Sequence, residues 1–151
     1  MKLKQIKKED LPAANALIRA SKSFWDYPKE YLEAAFPLLQ ISEEHLKDQS
    51  YWGLMNENEF IGIFSFSESL DDVLLDHFWI SPEYIGKGQG RILWNHAALL
   101  AMERGYMEFK IFSDPPAEPF YLKMGARKIG EKPSRISSGP VFPILRYVVA
   151  S

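Results

Sequence analysis

The chain contains no cysteine, which excludes disulfides, thiolate metal centres and a cysteine nucleophile. It also lacks any apolar run near the ~20 residues that a membrane-spanning helix needs, and its first residues lack the apolar core of a signal peptide. Charge is nearly balanced: 18 Lys and Arg stand against 20 Asp and Glu, for a formal net charge of −2. That balance gives no electrostatic case for nucleic acid or a membrane surface as partner. The basic residues Lys2, Lys4, Lys7 and Lys8 read as a solvated strand edge. No repeat or low-complexity segment is present. No His/Asp/Glu cluster has ligand spacing, so no metal site is expected. A soluble, cytoplasmic protein is the expectation.

What the chain has is apolar substance. Its 151 residues are 46% hydrophobic and 14% aromatic, enough for a packed core in one domain spanning 1–151. Leu3 with Gln5 and Ile6 reads as a short first strand. Asp10 is placed to cap a helix carrying Leu11, Ala14, Leu17 and Ile18. A break at 21–28 precedes a second helical pattern that stops near Pro37, and Ser42 caps a short third helix. The period then changes from helical to two. Runs at 51–55 and 60–66 flank the turn Asn56-Glu-Asn-Glu59, and Val73 to Ile80 follows, predicting an antiparallel meander. A helix at 91–104 has no charged residue between Ile92 and Met102, which predicts a mostly buried helix ended by Gly105. A strand at 106–112 should then run parallel to 73–80. A further helix within 114–125 and strands at 126–130 and 142–149 complete the pattern. The fold class is α/β of the α+β type: a mixed, mostly antiparallel sheet flanked by helices.

Between strand 73–80 and its following helix lies Ile80-Ser-Pro-Glu-Tyr-Ile-Gly-Lys-Gly-Gln-Gly90. Glycines at 86, 88 and 90 strip side chains from a turn at a helix N-terminus, where backbone N–H groups and the helix dipole favour an anion. A P-loop is excluded, because no Gly-x-x-x-x-Gly-Lys-Ser/Thr run exists. A dinucleotide fingerprint fits poorly: with Gly86 and Gly88 as its first glycines, its third falls on Arg91, and the preceding runs are hairpins rather than parallel units.

The segment Ile85-Gly-Lys-Gly88-Gln-Gly90, preceded by Ser81-Pro82-Glu83-Tyr84, resembles the pyrophosphate motif of the GNAT family of acyl-CoA-dependent N-acetyltransferases, with Ile85 in place of the usual Gln or Arg. Downstream, Asp114-Pro-Pro-Ala117-Glu-Pro-Phe120-Tyr121-Leu-Lys-Met-Gly125-Ala126 resembles that family's later motif, with Asp114 in place of the usual Asn. The two motifs cover residues 52–130. The resemblance implies a GNAT-like fold and direct transfer of an acetyl group from acetyl-CoA, as co-substrate, to a primary amine of a small molecule or peptide. Strands 73–80 and 106–112 should splay to admit the pantetheine arm, which would meet main-chain groups at Phe78, Trp79 and Ile80. The implied pyrophosphate site is Ile85, Gly86, Lys87, Gly88, Gln89, Gly90 and Arg91, with Asp114, Phe120 and Tyr121 completing the cofactor contacts.

Tyr121 matches the family tyrosine that protonates the leaving thiolate. For the general base the residues offer His77, whose unperturbed pKa suits the task, Asp76 on the opposite strand face by period two, and Glu68 beyond a strand end. Phe24, Trp25, Asp26 and Tyr27 are candidates for the acceptor-pocket wall, where aromatic faces and one carboxylate would suit a cationic amine. The Ser/Gly/Pro-rich stretch 133–143 is its other lip. His45 and His96 receive no role. A homodimer through the C-terminal strands is a further implication of the resemblance. The departures at Ile85 and Asp114 favour the competing reading, a non-catalytic CoA-binding or partner-binding module on the same fold.

Overall fold

The structure is a computed structural model that describes residues 1–149. Its strands are β1 (Lys2–Gln5), β2 (Tyr51–Asn56), β3 (Glu59–Glu68), β4 (Val73–Ile80), β5 (Glu108–Phe112), β6 (Arg127–Pro133) and β7 (Val141–Val148). They form one sheet in the order β1-β2-β3-β4-β5-β7-β6. Every neighbouring pair is antiparallel except β4 and β5. The helices are α1 (Leu11–Ser23), α2 (Lys29–Leu39), α3 (Glu43–Asp48), α4 (Gln89–Glu103) and α5 (Glu118–Lys123). The meander expected from period two is present, and its first turn leaves only Glu57 and Asn58 between the paired Asn56 and Glu59. Glu57 takes the left-handed conformation there, with φ 57.

The sheet separates two apolar cores because its strands alternate. Ile18 and Leu17 of α1 pack on Ile63, Tyr51 and Trp79. On the other face, Leu93, Trp94 and Ala97 of α4 pack on Phe64, Phe66, Phe109 and Leu145. Gly62 lets α4 lie close to β3: a Cβ there would stand 3.0 Å from Leu93 Cδ2 and 3.2 Å from the Trp79 carbonyl oxygen.

Several local expectations are corrected. Asp10 precedes α1, but its carboxylate accepts from the Lys7 N–H at 2.9 Å and from Lys4 Nζ at 2.9 Å. It therefore closes the preceding 3-10 turn and does not cap α1. The break after α1 starts only at Phe24, since apolar spacing carries the helix through Ser21 and Lys22, both buried. Pro37 lies inside α2, which continues to Leu39. The carbonyl that Pro37 leaves without a helical donor belongs to Glu33, an exposed residue. Helix α4 is amphipathic rather than mostly buried: Ile92, Leu99 and Met102 are 38%, 49% and 49% exposed. Lack of charge is a weaker signal than the position of each residue around the helix. The Ser42 cap is present, with Oγ accepting from the His45 N–H at 3.2 Å. Gly105, at φ 76, ends α4 with its N–H on the Met102 carbonyl and the Tyr106 N–H on the Ala101 carbonyl, the paired bonds of a Schellman motif.

Gly62→Ala should destabilise the fold by about 1–3 kcal/mol through overpacking, and Leu93→Ala by about 2–5 kcal/mol through a cavity. In urea denaturation the double variant should cost less than the two single costs added, because each change relieves the other.

Candidate active site between the parted strands

Strands β4 and β5 share a single paired position, Leu74 with Lys110, and then diverge. On its other edge β4 is fully engaged: the Ser81 N–H bonds the Ile61 carbonyl at 2.9 Å, and the register runs back through Trp79–Ile63 to His77–Ser65. By strand period, the N–H and C=O of Phe78 and Ile80 point to the opposite edge, into the gap. The gap is a cleft of about 320 Å³ that runs from Tyr84, Gly86 and Gly90 past Phe78, Phe120 and Tyr121 to Asp76 and Asp114. Its apolar wall includes an aromatic cluster, with Phe78 5.6 Å from Phe120 and 5.8 Å from Tyr121, centroid to centroid, and Trp94 backs that cluster 6.1 Å from Phe78.

At the mouth, Pro82–Tyr84 forms a 3-10 turn and the chain then reverses through Gly86 (φ 81) and Gly88 (φ 91). No side chain caps α4, and its first turn holds no acidic residue. The N–H groups of Ile85 and Lys87 bond the Pro82 and Tyr84 carbonyls; among the described residues, those of Gly86 and Gly88 meet no protein acceptor. The first N–H groups of the helix likewise lack intrahelical partners. Lys87 and Arg91 are exposed beside them. Gly90 matters for a different reason: a Cβ there would press on the Phe120 ring at 3.1 Å. An anionic group fits this turn, since unpaired donors, a helix N-terminus and two cations converge there.

The general-base candidates lie in different settings. A β-bulge falls between Ser65–His77 and Phe66–Leu75, leaving Asp76 without a partner on β3. The bulge overrides period two, so Asp76 and His77 share neighbours instead of facing apart. Gln49 Nε2 donates to both Asp76 oxygens, at 3.0 and 2.9 Å, and also to Ser65 Oγ. Tyr51 stacks edge-on against His77 at 5.4 Å, and burial with the charge of Asp76 pushes its hydroxyl up to about 12. Burial raises the Asp76 carboxyl to about 6 against the opposing bonds from Gln49. Burial also depresses His77 to about 4. Its Nδ1 accepts from Trp79 Nε1 at 3.0 Å, which leaves the imidazole proton on Nε2. Asp76 lines the cleft and His77 does not. Exposed Glu68 lies beside Tyr106 at the far end of β3.

Tyr121 lies deep in the cleft, its hydroxyl held protonated by burial and by the nearby Asp114 charge, both of which raise its pKa. Asp114 itself is already engaged. Its Oδ1 accepts from Lys22 Nζ at 2.6 Å and from the Tyr27 hydroxyl at 2.7 Å, and the two ionic side chains are only 5% and 12% exposed. Lys22 is further enclosed by the rings of Tyr27, Tyr31 and Phe142. Of the expected acceptor wall, Trp25 lines the cleft, Phe24 packs against Trp25 at 5.0 Å, and Asp26 is exposed and lines no cavity described here. Lys22 and Gln49 were not among the expected site residues. The spacing of Ala14, Ile18 and Lys22 along one helix face was a readable signal for the former; nothing local marks the latter.

A second cavity of about 360 Å³ shares Asp76, Trp79, Phe112 and Asp114 with the cleft and extends between α2 and the 133–136 segment. Among the described residues no group of three or more His, Asp or Glu side chains could hold a metal ion, and no helix is long and apolar enough to cross a membrane.

The model of the acetyltransferase (GNAT) family matches residues 16–126, and the chain belongs to that family. Among solved structures, the GCN5-related N-acetyltransferase from Rhodopseudomonas palustris is similar at a TM-score of 0.82 and 19% identity, over 97% of this chain and 94% of that one. The PaiA N-acetyltransferase from Thermoplasma acidophilum, in complex with coenzyme A, gives 0.77 and 20% over 98% and 99%. The ribosomal-protein-S18-alanine N-acetyltransferase from Escherichia coli gives 0.72 and 16% over 99% and 94%. At these identities the likeness is one of fold. No curated protein is similar enough in sequence to count as a relative.

Lys22→Met should destabilise the protein by about 3–5 kcal/mol, because it strands a buried carboxylate. Lys22→Met combined with Asp114→Asn should recover most of that loss in urea denaturation. A cost shared equally by both variants would show that packing, not charge, is what Lys22 supplies.

Proposed function

We propose that the protein transfers an acetyl group from acetyl-CoA to a primary amine by direct attack. The observation that carries this reading is the coincidence of the open β4 edge, the unpaired N–H groups of the glycine turn and the buried Tyr121 along one cleft. The main-chain N–H groups of Gly86, Gly88 and the first turn of α4 would hold the pyrophosphate, with Lys87 and Arg91 adding positive charge; this needs no side chain from Ile85. The edge of β4 at Phe78 and Ile80 would pair with the pantetheine arm, and a main-chain donor there would stabilise the oxyanion of the tetrahedral intermediate. The thioester supplies an acyl carbon open to attack.

The residues then divide the proton work. Asp76 takes the proton that the amine loses, since it lines both cavities and its pKa of about 6 leaves it ionised at neutral pH yet basic enough to act. His77 takes no part, because its Nδ1 lone pair is occupied by Trp79 and it lies off the cleft. Tyr121, kept neutral by burial, gives its proton to the departing thiolate. Asp114 lines the cleft, and with its Oδ1 bound to Lys22 and Tyr27 it fixes the segment leading into Tyr121.

Tyr121→Phe should lower kcat by about 10²-fold or more with acetyl-CoA affinity retained; native turnover would remove Tyr121 from the chemistry. The native enzyme should lose kcat as pH falls through about 6, the range in which Asp76 gains its proton, and Asp76→Asn should abolish that limb. A carboxyl whose folded pKa lies above its unfolded value weakens the fold as pH rises through that range. Asp76→Asn should therefore be more stable than the native chain at about pH 8, by about 2–3 kcal/mol, with the gap closing near pH 4.

A further inference from the structure

We propose that the acceptor is an amine that carries a negative group, a carboxylate in the first instance, rather than a polyamine or other polycation. This rests on the transfer reading above and concerns the second cavity, which opens from Asp76 toward Lys132 and Arg135. The charges along that cavity are unequally satisfied. Asp114 is neutralised by Lys22 in a buried pair at 2.6 Å. Lys132 stands 4.8 Å over the Phe112 ring. Among the described residues, neither Lys132 nor Arg135 forms an ion pair with a carboxylate.

Arg135 is presented by an ordered loop. The Ser134 N–H bonds the Pro140 carbonyl, the Ile136 N–H bonds Ser134 Oγ, and the Gly139 N–H bonds the Ile136 carbonyl. Gly139 packs so tightly that a Cβ would meet Tyr31 at 2.7 Å, which fixes the loop against α2. The cavity thus has a single available carboxylate, Asp76, at its inner end and two unpaired cations at its rim, with apolar walls from Leu38, Leu39 and Ile136 between. An amine seated at Asp76 with its remainder in this cavity shares the cavity with Lys132 and Arg135. A carboxylate is attracted there, and a second ammonium group is repelled. A free apolar amino acid and an acidic peptide N-terminus share this chemistry.

Thiol release from acetyl-CoA should be measured with L-phenylalanine against phenethylamine, L-leucine against isoamylamine, amidated Ala-Glu against amidated Ala-Lys, and spermidine. The expected result is a preference of about tenfold or more in kcat/KM for the carboxylate-bearing member of at least one pair; which pair responds tells a free amino acid from a peptide. Lys132→Gln/Arg135→Gln should collapse that preference through KM while acetyl-CoA affinity stays within about twofold. No preference for the carboxylate-bearing member in any of the three pairs, or better use of spermidine than of every carboxylate-bearing probe, overturns the inference and leaves acetyl transfer standing, as does a preference that survives in the double variant. The same amines should be titrated calorimetrically into the CoA-saturated protein. Selective binding of the carboxylate-bearing probes without turnover upholds the inference and sinks the transfer reading. Binding of none of them overturns the inference.

Discussion

The parting of β4 and β5 is the constraint on which the rest of the structure depends. A strand inside a sheet has two hydrogen-bonding edges, and native proteins leave few such groups unsatisfied. Here β4 is paired with β3 on both sides of the bulge at Asp76 but meets β5 only at Leu74–Lys110. The edge left over, at Phe78 and Ile80, lies in a cleft walled by Phe120 and Tyr121 rather than on an open surface. Such an edge needs a partner with its own donors and acceptors, and an extended amide-bearing arm is one. The glycine turn stands at one end of the edge and Asp76 at the other, so in the proposed reaction position along the cleft would sort anion binding from proton transfer.

Two polar features work against the apolar preference of the surrounding core, and both serve the gap. The Lys22–Asp114 pair joins α1 to the segment after β5, across 92 positions of sequence. Replacing such a buried pair with apolar side chains is often neutral or stabilising, so its presence here argues for a positioning role: it fixes the start of the segment that carries Phe120 and Tyr121. The bulge at Asp76 is the second. It turns a carboxylate out of the strand's alternation toward Gln49 and the shared wall of the two cavities. Bulges often re-aim side chains beside active sites, and burial gives this carboxyl a pKa suited to a base at neutral pH.

The meander, α4 and the glycine turn were legible because each rests on local periodicity or on glycine at positive φ. The aligned Phe120-Tyr121 block then pointed to an acyl-CoA ligand, and the family match over residues 16–126 agrees with that. What the sequence hid was non-local or irregular. Nothing in Leu74-Leu-Asp-His-Phe-Trp79 signals a bulge, so period two set Asp76 and His77 on opposite faces when both lie beside Tyr51. That Asp114 also holds Lys22 and Tyr27 was not legible, because those partners lie far upstream. Pro37 read as a helix stop, although a proline late in a helix whose freed carbonyl is exposed costs little enough for the helix to run two residues further.

The central claim is that an acyl-CoA fills the gap between β4 and β5, pairing with the β4 edge while its phosphates sit on the glycine turn. Residue-resolved amide hydrogen exchange, with and without acetyl-CoA, tests it most directly. The account predicts new protection at the amides of Phe78 or Ile80 and of Gly86 and Gly88, with none of it produced by NAD at the same concentration. Protection confined to the glycine turn, with the β4 edge exchanging as before, would contradict it.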